Sequence, residues 1–196
     1  MSSDARYKRA IDLIDQANAS DPERIVVDGA EKPKELAHSE LMTEWVRRLR
    51  PDAGDKLLVA ARAHHIRRWE IPRSSYAKGR RPYLQWRTAL HKHHAETTGE
   101  LLTAVGYEQQ FIERVQQIMQ KHNLPRDPEV QALEDALCLV FLQKQLGDLR
   151  RDQGDEKVHE ILVKTLKKMS DRAKELALQL EMTESDRELL HRAVGV

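Results

Sequence analysis

Histidines and one aspartate on the apolar faces of predicted helices are the residues of this sequence best suited to metal chemistry. The candidates are His38, His64, His65, His94, His122 and Asp135. A carboxylate that enters a core needs a partner, and a metal ion with imidazole ligands is one such partner. Taken singly, each histidine could equally be a hydrogen-bonded core residue, and Asp135 could cap a helix or pair with an arginine. The residue types alone therefore leave a metal site and a structural role both open.

A basic and aromatic segment follows directly after the two adjacent histidines. Residues 62–92 hold nine Lys and Arg side chains against the single acid Glu70. Guanidinium groups bind phosphate bidentately, and aromatic rings offer a face to a nucleotide base. Alternatively, the rings anchor the loop to the core while the arginines pair with acidic helices such as 148–160. The phosphate- or nucleotide-binding candidates are Arg68, Trp69, Arg73, Tyr76, Arg80, Tyr83, Trp86 and Arg87.

The composition restricts the class of protein. A chain of 196 residues is long enough for one domain with a real core, so we expect a single helical domain over residues 1–196. Lys plus Arg (33) nearly balance Asp plus Glu (32), so the total charge does not indicate a nucleic-acid partner. The lone cysteine, Cys138, excludes a disulfide framework. No apolar stretch is long enough to cross a bilayer, and we expect a cytoplasmic protein without a membrane partner and of open oligomeric state.

Apolar residues recur at intervals of three and four, which predicts an all-α fold, a single-domain bundle of about eight helices without a strand. The predicted helices span residues 3–19, 34–49, 54–68, 82–105, 108–122, a sixth helix from 128 through the apolar run 136–142, 155–181, and a short helix from 183. The third helix would place His64 and His65 near its end. The run ALCLVFL is apolar on every side, which predicts that the sixth helix is the centre of the core.

The order of the histidines and the aspartate along the chain resembles the HD phosphohydrolase superfamily, in which a histidine, a His-Asp pair and a final aspartate bind one or two metals on a helical bundle. The resemblance implies an HD-like core at about 34–147, with helices at 155–194 packed on it. It also implies metal ligation by His38, His64, His65, His94 and Asp135. His65 stands where the family has an acid, and fewer carboxylates favour zinc, iron or manganese over magnesium.

A metal at such a site would acidify a water that attacks a phosphoester. We therefore expect a metal-dependent phosphohydrolase that acts on a phosphorylated small molecule or nucleotide and uses no organic cofactor. Its catalytic candidates are His65, Glu96 and Glu134. One alternative is a non-catalytic module that binds RNA or a nucleotide through the loop at 67–87. Another is a helical scaffold for a partner protein.

The pentapeptide KMSDR at 168–172 resembles the KMSKS signature of class I aminoacyl-tRNA synthetases. In those enzymes the motif closes over ATP on a parallel-sheet nucleotide fold. Here the periodicity places the letters inside the seventh predicted helix, and the sequence has no βαβ pattern to hold ATP. The sequence therefore predicts no synthetase activity.

Four longer motifs carry a second resemblance. ARAHHIRRWEIPRSSY, GRRPYLQWR, LEDALCLVFL and KTLKKMS begin at residues 61, 79, 133 and 164. Together they are similar to the family known as domain of unknown function 4202, over nearly the whole chain. The resemblance implies that the characteristic residues are His65, Arg68, Trp69, Pro72, Arg73, Tyr83, Trp86 and Arg87. It makes His65 and the basic and aromatic loop the expected centre of function.

Overall fold

The chain folds almost entirely into α-helices, as the periodicity predicts. The computed structural model describes residues 2–27 and 29–195. Its helices are α1 (Ser3–Asn18), α2 (Lys34–Leu49), α3 (Asp55–Arg62), α4 (Arg80–Val105), α5 (Gln109–Met119), α6 (Pro128–Lys144), α7 (Leu146–Gln153), α8 (Asp155–Leu166), α9 (Asp171–Leu178) and α10 (Glu184–Val194). Two short strands, β1 (Arg24–Val27) and β2 (Ala30–Pro33), and two 3₁₀ turns, Arg68–Glu70 and Arg73–Ser75, are also present. The prediction of an all-α single domain is confirmed, and the HD-like topology stays a prediction.

Helix α6 lies at the centre of the core, as its apolar run predicts. It packs against α2, α3, α5, α7 and α9. Leu133, Leu139 and Leu142 are among its buried side chains, and each contributes roughly 1.5–3 kcal/mol by burial. Helix α8 packs on α7 and α10. In the described part of the chain, no helix combines the length and the apolar character that a membrane crossing requires.

The predicted helix at 155–181 is two helices, α8 and α9, with a turn between them. Ser170 ends the turn by capping α9, because its Oγ accepts the N–H of Ala173 at 3.2 Å. The motif KMSDR therefore lies in this turn and in the first residues of α9, and its predicted place inside a helix is wrong. Together with the break between α6 and α7, this split explains why the described residues form ten α-helices instead of about eight.

An antiparallel hairpin, which the periodicity did not predict, precedes α2. Strands β1 and β2 pair from Arg24 opposite Pro33 to Val27 opposite Ala30. Strands of four residues are too short to show a clear alternation, although the sequence Asp28-Gly29 is a dipeptide favoured in hairpin turns. The prediction of no strand is therefore wrong. The hairpin leads the chain directly into the first turn of α2.

Two predicted helices end earlier than expected, and both differences affect histidines. Helix α3 ends at Arg62, and the chain then turns through residues 63–67, where Arg67 adopts a left-handed φ of 50°. His64 and His65 therefore lie in a turn and not near the end of a helix. Helix α5 ends at Met119, so His122 follows the helix and is exposed. The predicted place of His122 on a buried face is wrong.

Candidate metal centre and cavity

Three segments of the chain bring four of the predicted histidines together. Helix α2 carries His38, the turn after α3 carries His64 and His65, and α4 carries His94. The ring centroids of His38 and His65 are 4.2 Å apart and nearly parallel, and those of His64 and His65 are 4.7 Å apart. The ring of His94 lies 5.8 Å from that of His65. We call these four residues the histidine cluster.

Polar contacts from two other helices hold the turn at residues 63–67. Asn18 of α1 is fully buried, and its Oδ1 accepts the backbone N–H of Arg67 at 3.2 Å. His94 of α4 reaches the same turn, with Nδ1 2.7 Å from the carbonyl oxygen of Ile66. These bonds satisfy backbone groups of the turn itself. The position of the turn therefore depends on α1 and α4 as well as on its own sequence.

Glu35, His38 and His65 form a group that could hold a metal ion. One donor atom from each residue lies within 4.8 Å of the donor atoms of the other two. Glu35 and His38 share a face of α2 because they are three residues apart, and Oε2 of Glu35 lies 3.2 Å from Nδ1 of His65. Asp21 fixes this first turn of α2 by accepting the backbone N–H of Glu35 at 2.9 Å. This hydrogen bond fixes the helix turn that carries Glu35.

Three buried imidazole nitrogens of the histidine cluster have no hydrogen-bond partner among the described residues. They are Nε2 of His38, Nδ1 of His64 and Nε2 of His94. For His94 the tautomer follows from the contact with Ile66, because Nδ1 must donate to the carbonyl, which leaves a lone pair on Nε2. Metal-bound histidines have this arrangement, with the second ring nitrogen donating to a carbonyl or carboxylate. Since a buried polar atom without a partner costs free energy, the cluster fits a metal ion better than it fits an ordinary core.

Burial keeps the imidazoles of the cluster neutral. It lowers the pKa of His38 to about 4 and that of His94 to about 3, and it lowers the pKa of His64 and of His65 well below the usual range. Burial also raises the pKa of Glu35 to about 7, although a nearby guanidinium opposes this effect. A metal ligand must be deprotonated at the binding atom. At neutral pH the four rings are therefore already neutral, and they can bind a metal without first losing a proton.

A cavity of about 350 Å³ opens beside the histidine cluster. Its wall includes His64, His65 and His94 and four cationic side chains. The cations are Arg68, Arg87, Lys121 and Lys168. Leu90 and Phe141 are among its apolar side chains. The volume lies at the lower end of the roughly 300–1,000 Å³ that is usual for small-molecule pockets, so the cavity suits a small anionic ligand.

The basic and aromatic segment divides into residues that line the cavity and residues that hold the loop. Arg68, Tyr83, Trp86 and Arg87 line the cavity. Trp69, Arg73, Tyr76 and Arg80 are not part of its described wall. Arg73 instead donates to the backbone carbonyls of Tyr76 and Ala77, at 2.8 and 3.0 Å. The structure thus brings half of the predicted phosphate-binding set to the cavity and gives Arg73 a structural role.

Trp86 supports the guanidinium of Arg68 at the cavity wall. The Cζ atom of Arg68 lies 5.0 Å from the centroid of the indole ring, and Nε1 of the indole donates to the carbonyl oxygen of Ile71 at 2.9 Å. Nε of Arg68 also lies 3.7 Å from Oε1 of Glu35. Arg68 is therefore held between the metal-binding group and the cavity.

The structure does not bring Asp135 to the histidine cluster. Its carboxylate accepts the backbone N–H of Ser170 at 2.9 Å, the hydroxyl of Ser170 at 2.6 Å and the side-chain amide of Gln131 at 2.9 Å. Asp135 lines a different cavity, beside α9. Its carboxylate accepts from these three donors away from the metal-binding group, so the structure gives it a structural role and not the predicted role of final metal ligand. It fixes the turn before α9.

The two predicted carboxylate bases lie in contrasting places. Glu96 is exposed on α4 and pairs with Lys92 at 3.7 Å, and it is not part of the described cavity wall. This solvated position gives it no access to a reaction in the cavity. Glu134 does line the cavity, but its carboxylate forms an ion pair with Lys121.

Glu35, His91, Lys121 and Lys168 are candidate functional residues that the sequence reasoning missed. The spacing of Glu35 and His38 was a usable signal, because Glu-x-x-His on a helix is a known metal-ligand pattern. His91 lies three residues before His94 and so shares its face of α4. The two lysines gave no local signal, because three separate segments of the chain must meet before they line one cavity.

Searches of curated proteins and of solved structures gave no significant match. A family model described as domain of unknown function (DUF4202) matches residues 8–190. This span contains the histidine cluster, Glu35 and the whole described cavity wall. The chain therefore belongs to the DUF4202 family.

Proposed function

We propose that the protein is a metal-dependent phosphohydrolase that acts on a small phosphorylated molecule. The observation that carries this proposal is the cluster of buried imidazole nitrogens without partners in the described chain, next to a cavity with four cations. Buried lone pairs favour a metal ion, and the cations favour an anionic ligand. A metal beside a phosphate-binding cavity is an arrangement that hydrolyses phosphoesters.

Glu35, His38 and His65 are best placed to hold the metal, because their donor atoms lie within 4.8 Å of one another. His64 and His94 lie beside this group, each with one buried ring nitrogen that has no partner in the described chain. One carboxylate among several imidazoles favours zinc, iron or manganese over magnesium. When bound, such an ion supplies a Lewis acid and an acidified water.

Arg68 and Arg87 bind and orient the phosphate in this proposal. Arg68 borders both the metal-binding group and the cavity, and Trp86 holds its guanidinium in place. Arg87 adds a second guanidinium from α4. Two such groups can hold the non-reacting phosphate oxygens bidentately and stabilise the charge that develops during hydrolysis.

His91 can hold or move a proton within the cavity. It lines the cavity on α4 without belonging to the metal-binding group. Burial lowers its pKa to about 4, so the ring is neutral at neutral pH. A neutral imidazole can accept a proton from water at one nitrogen and donate N–H to a phosphate oxygen at the other. Glu134 is less suited to this role because its carboxylate is paired with Lys121.

Metal content is the first test. We expect protein purified without chelator to contain about one zinc, iron or manganese ion per chain by elemental analysis. His38→Ala should lose the metal, because it removes one donor of the metal-binding group. Glu96→Gln is the matched control, since it changes an exposed acid on α4, and it should retain the metal. Wild-type protein without a stoichiometric transition metal would contradict the proposal.

Activity is the second test. The metal-loaded protein should release inorganic phosphate from at least one member of a panel of phosphomonoesters and nucleotides. Arg87→Ala should raise KM by about ten-fold or more while the metal content is unchanged, because it removes a charged phosphate contact. Full activity in both His38→Ala and Arg87→Ala would show that any hydrolysis takes place outside this cavity.

A second candidate function, binding of RNA through the loop at 67–87, has its own support. Tyr83 and Leu84 at the start of α4 are exposed large side chains, and Arg80 and Arg81 are exposed beside them. A salt-dependent shift on tRNA that survives His38→Ala would favour this function over hydrolysis. The buried free thiol of Cys138 supports a cytoplasmic setting for either activity.

A further inference from the structure

One wall of the cavity carries an ion triplet, two lysines around a buried carboxylate, whose members have no individual role in the proposed hydrolysis. Lys121 follows α5, Glu134 lies on α6, and Lys168 lies in the turn after α8. The side chain of Glu134 is only 4% exposed. Its carboxylate pairs with Lys121, and Nζ of Lys168 lies 3.7 Å from Oε1. All three residues line the cavity that holds Arg68 and Arg87.

The backbone at Lys121 has a conformation that favours glycine. Lys121 adopts a left-handed φ of 58° just after the end of α5. The next residue, His122, donates its N–H to the carbonyl of Gln117 at 3.0 Å, as in a Schellman helix end. Glycine is the favoured residue at the left-handed position, because any Cβ is strained there. A lysine at this position therefore costs conformational free energy relative to glycine, while its ammonium forms the ion pair with Glu134.

The triplet carries a net positive charge and spare donors. Two ammonium groups face one carboxylate, which leaves a charge of about +1 at neutral pH. Each ammonium has three N–H donors, and Glu134 occupies only a part of the six. Lys121 and Lys168 line the same cavity as His64 and His94. The lysine wall and the histidine wall therefore border one small space.

We propose that Lys121 and Lys168 form a second anion subsite, with Glu134 as the fixed counter-ion that holds them in place. This inference rests on the proposed phosphate site at Arg68 and Arg87. The substrate is then a small molecule with a phosphate at one end and a second anionic group, a carboxylate or another phosphate, at the other. The cavity of about 350 Å³ limits the connecting skeleton to a few atoms.

Binding of three phosphonates tests the subsite independently of hydrolysis, because their carbon–phosphorus bonds resist phosphoester hydrolysis. Propylphosphonate ends in a methyl group, phosphonopropanoate in a carboxylate, and ethylenebisphosphonate in a second phosphonate. Phosphonopropanoate and ethylenebisphosphonate both carry an anionic group at each end. We expect calorimetry on the protein as purified to give a Kd at least about ten-fold lower for one or both of them than for propylphosphonate. The probe with the larger preference identifies the second group as carboxylate or phosphate.

The variants follow from the geometry. Lys168→Met removes one ammonium from a half-exposed side chain, so it should fold and should abolish most of the preference. Lys121→Gly combined with Glu134→Gln removes the other ammonium, relieves the left-handed strain and leaves no unpaired buried charge. Lys167→Met is the matched control, because Lys167 is exposed in the same turn and is not part of the described cavity wall. It should keep the full preference.

Three outcomes would overturn the subsite. The first is an equal Kd for the three probes, and the second is a preference over propylphosphonate that survives both lysine variants. The third is no measurable binding of phosphonopropanoate or ethylenebisphosphonate. A lysine-dependent preference in a protein that shows no hydrolysis would contradict the proposed function and leave the subsite standing. Hydrolysis without a lysine-dependent preference would support the proposed function and contradict the subsite.

Discussion

The two clusters of buried polar side chains in this molecule differ in how their atoms are satisfied. Both carboxylate oxygens of Asp135 are paired, with three hydrogen bonds from Ser170 and Gln131. In the histidine cluster, three buried ring nitrogens lack a partner in the described residues. Both clusters looked alike as sequence, because each consists of polar residues on apolar helix faces. The pairing of their atoms separates a structural site from a candidate functional one.

The largest effect expected from this contrast is on metal binding. His65→Ala should lower metal affinity by more than about 100-fold, since even partners of metal ligands change affinity by 10–100-fold. Metal competition with a coloured chelator measures this change. Asp135→Ala should leave the affinity within about two-fold, because its carboxylate lies outside the cluster. Equal losses of metal affinity in the two variants would contradict the distinction between the two clusters.

The reverse contrast is expected for stability. Asp135→Ala should lower the free energy of unfolding by about 2–3 kcal/mol, because it leaves the amide and hydroxyl of Ser170 without their acceptor. Urea denaturation of metal-free protein measures the loss. His38→Ala, which removes an imidazole whose Nε2 has no described partner, should cost clearly less in the same assay.

The pH dependence of metal-free protein has a definite sign. The pKa of His38 is lowered to about 4 and that of His94 to about 3, so the unfolded chain binds more protons than the fold between pH 6.5 and about pH 4. Stability should therefore fall as the pH falls through this window, by up to about 1.4 kcal/mol per pH unit for each histidine. Glu35, with its pKa raised to about 7, acts in the opposite direction and reduces the slope. A His38→Leu/His94→Leu variant should show a flatter profile in chemical denaturation across the window.

The smallest effect is expected at Glu96. Glu96→Gln breaks only an exposed pair with Lys92, and surface pairs of this kind contribute about 0–1 kcal/mol. Metal affinity, phosphate release and unfolding free energy should each stay close to the wild-type values. A loss of activity in this variant would show that the reaction reaches the outer face of α4.

The helical fold was predictable because it depends on local periodicity. The central position of α6 followed from one apolar run. The histidines at 38, 64, 65 and 94 do meet in the structure, although His64 and His65 lie in a turn and not on a helix face. Helix ends were less predictable, since the turn at 63–67 is held by Asn18, a residue of another helix. Tertiary contacts of this kind leave no periodic signal.

The candidate site was predictable only where its residues are close along the chain. Arg68, Trp86 and Arg87 belong to one basic and aromatic segment, and all three line the cavity. Lys121 and Lys168 come from distant turns, and no spacing rule connects them. Asp135 was assigned to the wrong cluster because helical periodicity gives the burial of a residue but not its hydrogen-bond donors.

The hydrogen bond between Arg67 and Asn18 makes α1 a support of the histidine cluster. Although α1 contributes no ligand, its last residue fixes the backbone from which His64 and His65 project. A substitution at position 18 would therefore alter the position of the two histidines without touching either of them. In any redesign of this protein, the first helix counts as a support of the histidine cluster.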